Sequence, residues 1–510
     1  MGFPPSNALP SPGSSTQKQR NALPTSSVVG ISIPASSTTA PPPAPQLSHP
    51  KRSEILALLT SAPPPAIGFA SVVKSSGSTV QQDRIRPRGL INSGNMCFAN
   101  SVLQVLVYCP PFRKLFGELG RVSIGTGAAE KEGKEGLTPL VDATVEFVKE
   151  FVVPTVPKVN GRAGAGKIEI VNGKGKARDE EYGRKAQGDW EDGESFLPSY
   201  VYDAMKENKR FDNMRSGQQE DAEEFLGFYL DTLEEELLAL VNALSTPAPH
   251  ATKASQKKAP LVNGKIVEVE GQAEKEDGWL EVGKKNRMVV TRTIKSAETP
   301  ITRIFGGKFR STLKVPGQKD SVVVEDWRAL RLDIQRDDIH TIQDALSHIS
   351  DPQTIHLSHP VREASQQVLI EALPQILVVH LKRFCYDVHV GGVVKVAKEV
   401  RFAPELEVGS DIMAPGMRRG QPTKYKLFGV VYHHGQSASG GHYTLDVLHP
   451  TRYPGSSTAL SQASQREGWI RIDDELVSDV RPDDVFAPSS GRETEEDGRC
   501  AYLLFYRRVR

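Results

Sequence analysis

The spacing of apolar residues changes once along this 510-residue chain, and that change limits the fold more than any other feature. Ahead of it, Ala222, Phe225, Leu226, Tyr229, Leu233, Leu237, Leu240 and Leu244 step by three and four, so the spacing predicts a helix from about Gln219 to Leu244 with one continuous apolar face. Phe98, Val102, Val105 and Leu106 repeat the pattern, and another amphipathic helix is expected from about Leu137 to Val152. After Trp279 the runs are short and β-rich: Met288 to Ile294, Ile301 to Val315, Leu373 to Phe384, Tyr425 to Tyr432, Tyr443 to Leu448, Trp469 to Ile472 and Ala501 to Arg507, separated by Gly-rich or Pro-rich joints. Helices first and strands afterwards predict an α+β fold with a mostly antiparallel sheet.

Three polar stretches interrupt this order. Residues 1–84 are dominated by Pro, Ser, Thr and Ala and read as a disordered arm, because they cannot bury enough surface to fold alone. Within the arm, Lys51 to Leu59 (KRSEILALL) is amphipathic; a transient turn is the preferred reading and a partner-docking helix the other. Residues from about 153 to 194 read as an inserted loop and those from about 245 to 278 as a linker. The loop contains Gly161-Arg-Ala-Gly-Ala-Gly-Lys167, the start of a phosphate-binding loop. Ile168 stands where a magnesium-binding Ser or Thr is required, and Pro154 and Pro157 interrupt the approach, so nucleotide binding is rejected.

Charge and cysteine usage exclude further classes. A net charge of +1 gives no global field for nucleic acid or an anionic membrane, so no direct nucleic-acid or membrane partner is expected. Four cysteines, Cys97, Cys109, Cys385 and Cys500, with no C-x-x-C pair, are too sparse for a disulfide framework and suit a reducing compartment, cytoplasmic or also nuclear. No run of eighteen apolar residues occurs, and a bulky Phe3 followed by two prolines argues against lipidation of Gly2.

The chemistry is sought around Gly89 to Pro111, GLINSGNMCFANSVLQVLVYCPP. Gly89, Asn92, Gly94 and Asn95 form turns, a helix starts near Phe98, and Pro110 and Pro111 stop it. Cys97 thus falls in a first helical turn, where unpaired N–H groups stabilise a thiolate; an ordinary buried cysteine fits this stretch equally well. A thiol nucleophile needs a base. His442 lies in Ser439-Gly-Gly-His-Tyr443 just ahead of a strand, and is preferred over His433 and His434, of which alternation should bury one and solvate the other. Asp473 and Asp474 follow in WIRIDD, and only one of them can readily turn towards the histidine. Asp221 and Glu224 share one side of the long helix, where periodicity alone favours capping and solvation.

Taken together, the stretches GLINSGNMCFANSVLQVL, GQQEDAEEF, LVVHLKRF, YKLFGVVYHHGQSASGGHYTLDV and GWIRIDDELV resemble the ubiquitin-specific protease family of deubiquitinating enzymes, in family order from about Arg88 to Arg507. With CPPF and TPITRIFGGKFRS they are most similar to the subgroup of ubiquitin carboxyl-terminal hydrolase ten and its fungal counterpart. The resemblance implies a papain-like, hand-shaped α+β fold: a helical thumb from about 85 to 244, and an antiparallel palm with fingers from about 279 to 510. It implies Cys97 as nucleophile, His442 as base, Asp473 as the residue orienting it and Asn92 as oxyanion donor, with Asp474 assisting there. It further implies that Gln219, Asp221, Glu224, Arg383, Phe384 and Tyr443 line the channel for the ubiquitin tail. Met96 and Phe98 depart from the usual Thr and Tyr beside the thiol. No C-x-x-C pairs follow Phe305 to Ser311, so neither zinc nor any other cofactor is expected. Partners would be ubiquitin, ubiquitinated proteins and a protein cofactor on the arm. The other readings are a catalytically inactive ubiquitin-binding scaffold and, resting only on the arm and on the cofactors that the resembling subgroup uses, an RNA-associated adaptor.

Overall fold

The computed structural model describes residues 49–60, 84–122, 136–153, 192–212, 217–245, 279–283, 287–293, 298–358, 361–418, 420–438, 440–453, 466–486 and 498–509. The arm apart from 49–60 and Arg84, the insertion from 154 to 191 with its Gly161 to Lys167 stretch, and the linker from 246 to 278 lie outside them.

The first half is helical. Helix α1 (Arg52–Thr60) corrects the expectation for Lys51 to Leu59. Nine residues make a marginal helix in water, but Ile55 and Leu59 are 0% and 1% exposed. They pack against α3 (Pro110–Val122) and α6 (Ala222–Ser245). Arg303 donates to the carbonyls of Leu59 and Thr60 at its C-terminus, and Arg52 reaches Ser245 O at 3.4 Å. The segment docks on its own domain, so burial supplies what nine residues lack alone.

Helix α2 (Cys97–Val107) is buried on every side, as all its residues are small, apolar or amide-bearing. Phe98 meets Phe225 of α6 edge-on at 5.5 Å. On the other side the sheet comes so close that a Cβ at Gly429 would lie 2.6 Å from Val105 Cγ2. Pro110 and Pro111, expected only as a stop, also open α3, since proline suits a first turn whose N–H groups have no intrahelical partner. Helix α4 (Pro139–Phe151) is capped from outside: Glu236 of α6 accepts from Leu140 N at 3.0 Å and Val141 N at 2.8 Å. Helix α5 (Ser199–Lys206) completes this half.

The expected strand from Ile301 is instead helix α7 (Pro300–Phe305), with the strand Gly307–Lys314 after it. Its β-branched residues misled the reading. Thr299 forms a capping box with Thr302 and Pro300 sits in the first turn, which together outweigh those preferences.

The central sheet carries strands β1 (Ala329–Asp333), β2 (Ile376–Lys382), β3 (Thr423–His434), β4 (His442–Tyr453), β5 (Arg466–Asp473), β6 (Leu476–Asp479) and β7 (Cys500–Arg508). Their spatial order is β6-β5-β4-β3-β7-β2-β1, antiparallel except between β2 and β1, with Glu405–Val408 added beside β3. Both faces are covered, which explains why β2 reads as an unbroken apolar run: Ile376 and Val378 face the helices, whereas Leu377, Val379 and Leu381 enter a second core. A separate six-stranded sheet orders Gln353–Ser358, Val361–Ala372, Gly307–Lys314, Ser321–Trp327, Arg287–Thr293 and Trp279–Gly283.

Candidate active site

Cys97 is the first residue of α2 and 1% exposed. The first bond closing the helix runs from Asn100 N to Met96 O at 2.9 Å, and helix geometry leaves the preceding N–H groups without intrahelical acceptors. The turn ahead of it is fixed by Asn92, whose Oδ1 accepts from Met96 N at 2.9 Å and Gly94 N at 3.2 Å. With the oxygen held this way, the Asn92 amide nitrogen points to the sheet. It donates to Asp474 Oδ2 at 2.9 Å.

Strand pairing supplies the base. Register sets Leu445 of β4 opposite Ile472 of β5, so the start of β4 and the end of β5 are neighbours. There His442 Nε2 and Asp473 Oδ1 are 2.6 Å apart. The His442 ring is pushed up to about 10, first by the Asp473 hydrogen bond and then by one to Cys97; in turn His442 holds the Asp473 carboxyl below its usual range. The other hairpin histidines are placed differently. His433 is buried, and desolvation together with Lys395 lowers it to about 3, whereas His434 is half-buried with Nε2 on Thr444 Oγ1 at 2.9 Å.

Asp474 is not part of the strand. It opens a two-residue turn between β5 and β6, with φ of 47°, a left-handed conformation few side chains adopt. Its carboxylate is held by two amides: Oδ1 accepts from Asn100 Nδ2 at 2.8 Å and Oδ2 from Asn92. His442, Asp473 and Asp474 each bring a donor atom within 4.8 Å of the others, but their bonds to one another and to the two amides make this an acid–base cluster.

The remaining candidates divide. Gln219 pairs with the loop before β4 through both ends of its amide, Nε2 to Gly441 O at 2.8 Å and Oε1 from Gly441 N at 3.0 Å. Asp221 caps α6, accepting from Glu223 N at 2.7 Å, and also accepts from the Tyr502 hydroxyl. Glu224 is exposed beside it. Phe384 sits edge-on to His433 at 5.1 Å, and Tyr443 meets His433 at 4.9 Å, in an aromatic cluster that includes Tyr502. Arg383 lies below the surface. It is 1% exposed, and its guanidinium is taken by Ala501 O at 2.5 Å, Val396 O at 2.9 Å and Lys398 O at 2.7 Å, so it ties loops to β7.

Sequence reasoning missed Asn100, Tyr202 and Tyr502. A buried amide on an otherwise apolar helix needs partners, and that was the available signal for Asn100.

A family model described as ubiquitin carboxyl-terminal hydrolase matches residues 88–506. Probable ubiquitin carboxyl-terminal hydrolase 3 of Schizosaccharomyces pombe is 36% identical over 83% of this chain and 74% of its own length. Ubiquitin carboxyl-terminal hydrolase 10 of Gallus gallus is 36% identical over 87% of this chain, which spans only 52% of that relative. Among solved structures, the SAGA Ubp8/Sgf11/Sus1/Sgf73 DUB module bound to ubiquitin aldehyde is similar with a TM-score of 0.50 and 17% identity, covering 85% of this chain and 72% of that one; this likeness concerns the fold.

Proposed function

Because the chain belongs to the ubiquitin carboxyl-terminal hydrolase family, whose members are thiol-dependent proteases, we propose that it hydrolyses the bond after the C-terminal glycine of ubiquitin and releases ubiquitin from protein conjugates. The observation that carries this reading is His442 Nε2 paired with Asp473 Oδ1 at 2.6 Å, on an imidazole that Asp473 and Cys97 together hold in its charged form. Asp473 occupies Nε2, which leaves Nδ1 for the sulfur.

In this reading the proton of Cys97 resides on His442, and the sulfur attacks the glycine carbonyl carbon. The carbonyl oxygen takes up the charge against the free N–H of Asn92 and the backbone N–H groups that open α2. The amine leaves with the proton from His442, and the thioester remains. His442 then takes a proton from water as it attacks the thioester, freeing ubiquitin and restoring the thiol. Glu224 is the exposed carboxylate at the start of α6 and suits an arginine of the ubiquitin tail. Asp221 acts behind it as cap and as acceptor for Tyr502. Gln219, Phe384 and Tyr443 shape the channel, and Arg383 holds its wall.

Release of a fluorophore from the C-terminus of ubiquitin tests the reading. Cys97→Ala should abolish release while retaining ubiquitin binding. If wild-type release is absent but binding persists, the inactive scaffold is the better reading; if neither is seen, ubiquitin is not the substrate. A cytoplasmic or nuclear location is proposed on the four free cysteines, and microscopy of the tagged chain would overturn it by finding secretory compartments.

A further inference from the structure

Cationic side chains tie α1 to the ends of its neighbouring helices. Lys51, just ahead of α1, donates from Nζ to Arg121 O at 3.1 Å in the last turn of α3, and Arg52 donates to Ser245 O at the end of α6. At the other end of α1 the direction reverses. Its last turn has no basic residue of its own, and Arg303 of α7 supplies one, donating to Leu59 O and Thr60 O. The last carbonyls of a helix have no intrahelical partner and carry partial negative charge, so each contact satisfies groups that a helix leaves open. Between these ends Ile55 and Leu59, an i, i+4 pair, enter the core, and Leu56 and Leu58 pack against it. Helices α3, α6 and α7 thus form a seat for an amphipathic helix, with an apolar floor, carbonyls for cations at its start and a cation for its end.

The seated segment has two states. Nine residues do not hold a helix in water, so α1 is helical when seated and coil when released. Release is felt beyond the seat. Arg303 also lines a cavity of about 1660 Å³ that starts at Glu223 and Arg331 and runs between α6, α7, Trp327 and Arg508. Helix α7 walls this cavity and passes without slack into the six-stranded sheet: Gly306 N donates to Thr302 O at 2.7 Å, and a Cβ at Gly307 would lie 2.2 Å from the Trp327 ring. Under the hydrolase reading above, on which this rests, the body of ubiquitin must lie outside the channel that takes its tail, and the cavity is the concave surface beside the start of α6. We propose that α1 is a detachable clasp whose seating fixes α7 and the cavity wall, so that this part of the arm sets how tightly the substrate is held and not how fast it is cut.

In the full chain, Ile55→Asp with Leu59→Asp should empty the seat. Hydrogen exchange in α7 and Gly307–Lys314 should then quicken about tenfold, while exchange in α2 stays at the wild-type rate. With ubiquitin–fluorophore, KM should rise about threefold to tenfold and kcat should stay within about twofold. A fluorescent peptide of residues 49–60 should bind this variant below about 1 mM and bring KM back towards wild type; it should not bind the wild type, whose seat is filled by a tethered copy. Ile55→Ala, which threatens the fold least, should shift exchange and KM in the same directions by less. The proposal fails if exchange in α7 is unchanged in both variants, if KM is unchanged, if kcat falls instead, or if the peptide neither binds nor restores KM. A wild-type chain without Cys97-dependent release would remove the hydrolase reading alone, and exchange and peptide binding would still decide whether α1 is a clasp.

Discussion

The helical and sheet halves of this site are built by different means. On the helical side Asn92, Cys97 and Asn100 occupy one turn and the helix it opens, and local bonds such as Asn92 Oδ1 to Met96 N at 2.9 Å fix them. On the sheet side His442 and Asp473 are 31 residues apart and meet only because β4 and β5 pair in one register. A slip of one residue there would turn Asp473 away from the ring. A local site resists most distant changes; a register-built site depends on the whole sheet. The halves join where Leu90 meets Asp474, where Gly89 meets Glu475 and where Gln219 meets Gly441.

Perturbing one side at a time should expose this difference. The largest effect is expected from His442→Ala, with a fall in turnover of about a thousandfold or more while the helical side stays folded. The same variant carries a pH signature. A histidine raised to about 10 from its ordinary value stabilises the folded chain most below about 6.5, and this contribution fades as pH climbs through 10. Denaturation from pH 7 to 10 should therefore show a loss of stability in the wild type that His442→Ala lacks; parallel curves would argue against the ion pair. Next comes the joint. Gly89→Val forces the Glu475 turn away and should cost about 2–3 kcal/mol in chemical denaturation together with most of the turnover. Ile55→Ala probes the helical half alone: about 2 kcal/mol of stability should be lost from the α1 contact, with the turnover of the remaining folded protein near wild type. The smallest change, Gln219→Ala, removes two exposed hydrogen bonds and should cost about 1 kcal/mol or less while raising KM. A large loss of stability there would mean that the two halves are held together mainly at Gly441.

The division explains what could be read from the sequence. The long apolar face of α6, the turn–thiol–helix at Cys97 and the strands carrying His442 and Asp473 have periodic or local signatures, and the structure has elements at all of them. Where the reading went astray, tertiary context decided. Residues 51 to 59 are too short to predict a stable helix alone, and packing on α3 and α6 makes one. Ile301, Thr302 and Ile304 favour a strand, yet a Thr–Pro cap turns them into α7. Arg383 was expected in the channel from the resemblance alone, and nothing local says that an arginine will be folded inward onto three carbonyls. Asn100 could have been found from its neighbours' apolarity. Tyr202 could not, because its partner lies on another helix.

The place of β7 in the sheet has a consequence for how the molecule is made. Cys500–Arg508 is inserted between β3 and β2, although both precede it in the chain. A ribosome delivering the chain in order would present β2 and β3 with open edges until residues past 500 emerge, and Arg383 would have to wait as well for the carbonyl of Ala501. A nascent chain would therefore carry open, adhesive edges between the making of β2 and that of β7, and the sheet that holds His442 and Asp473 would close only when the β7 segment zips the two sub-sheets together.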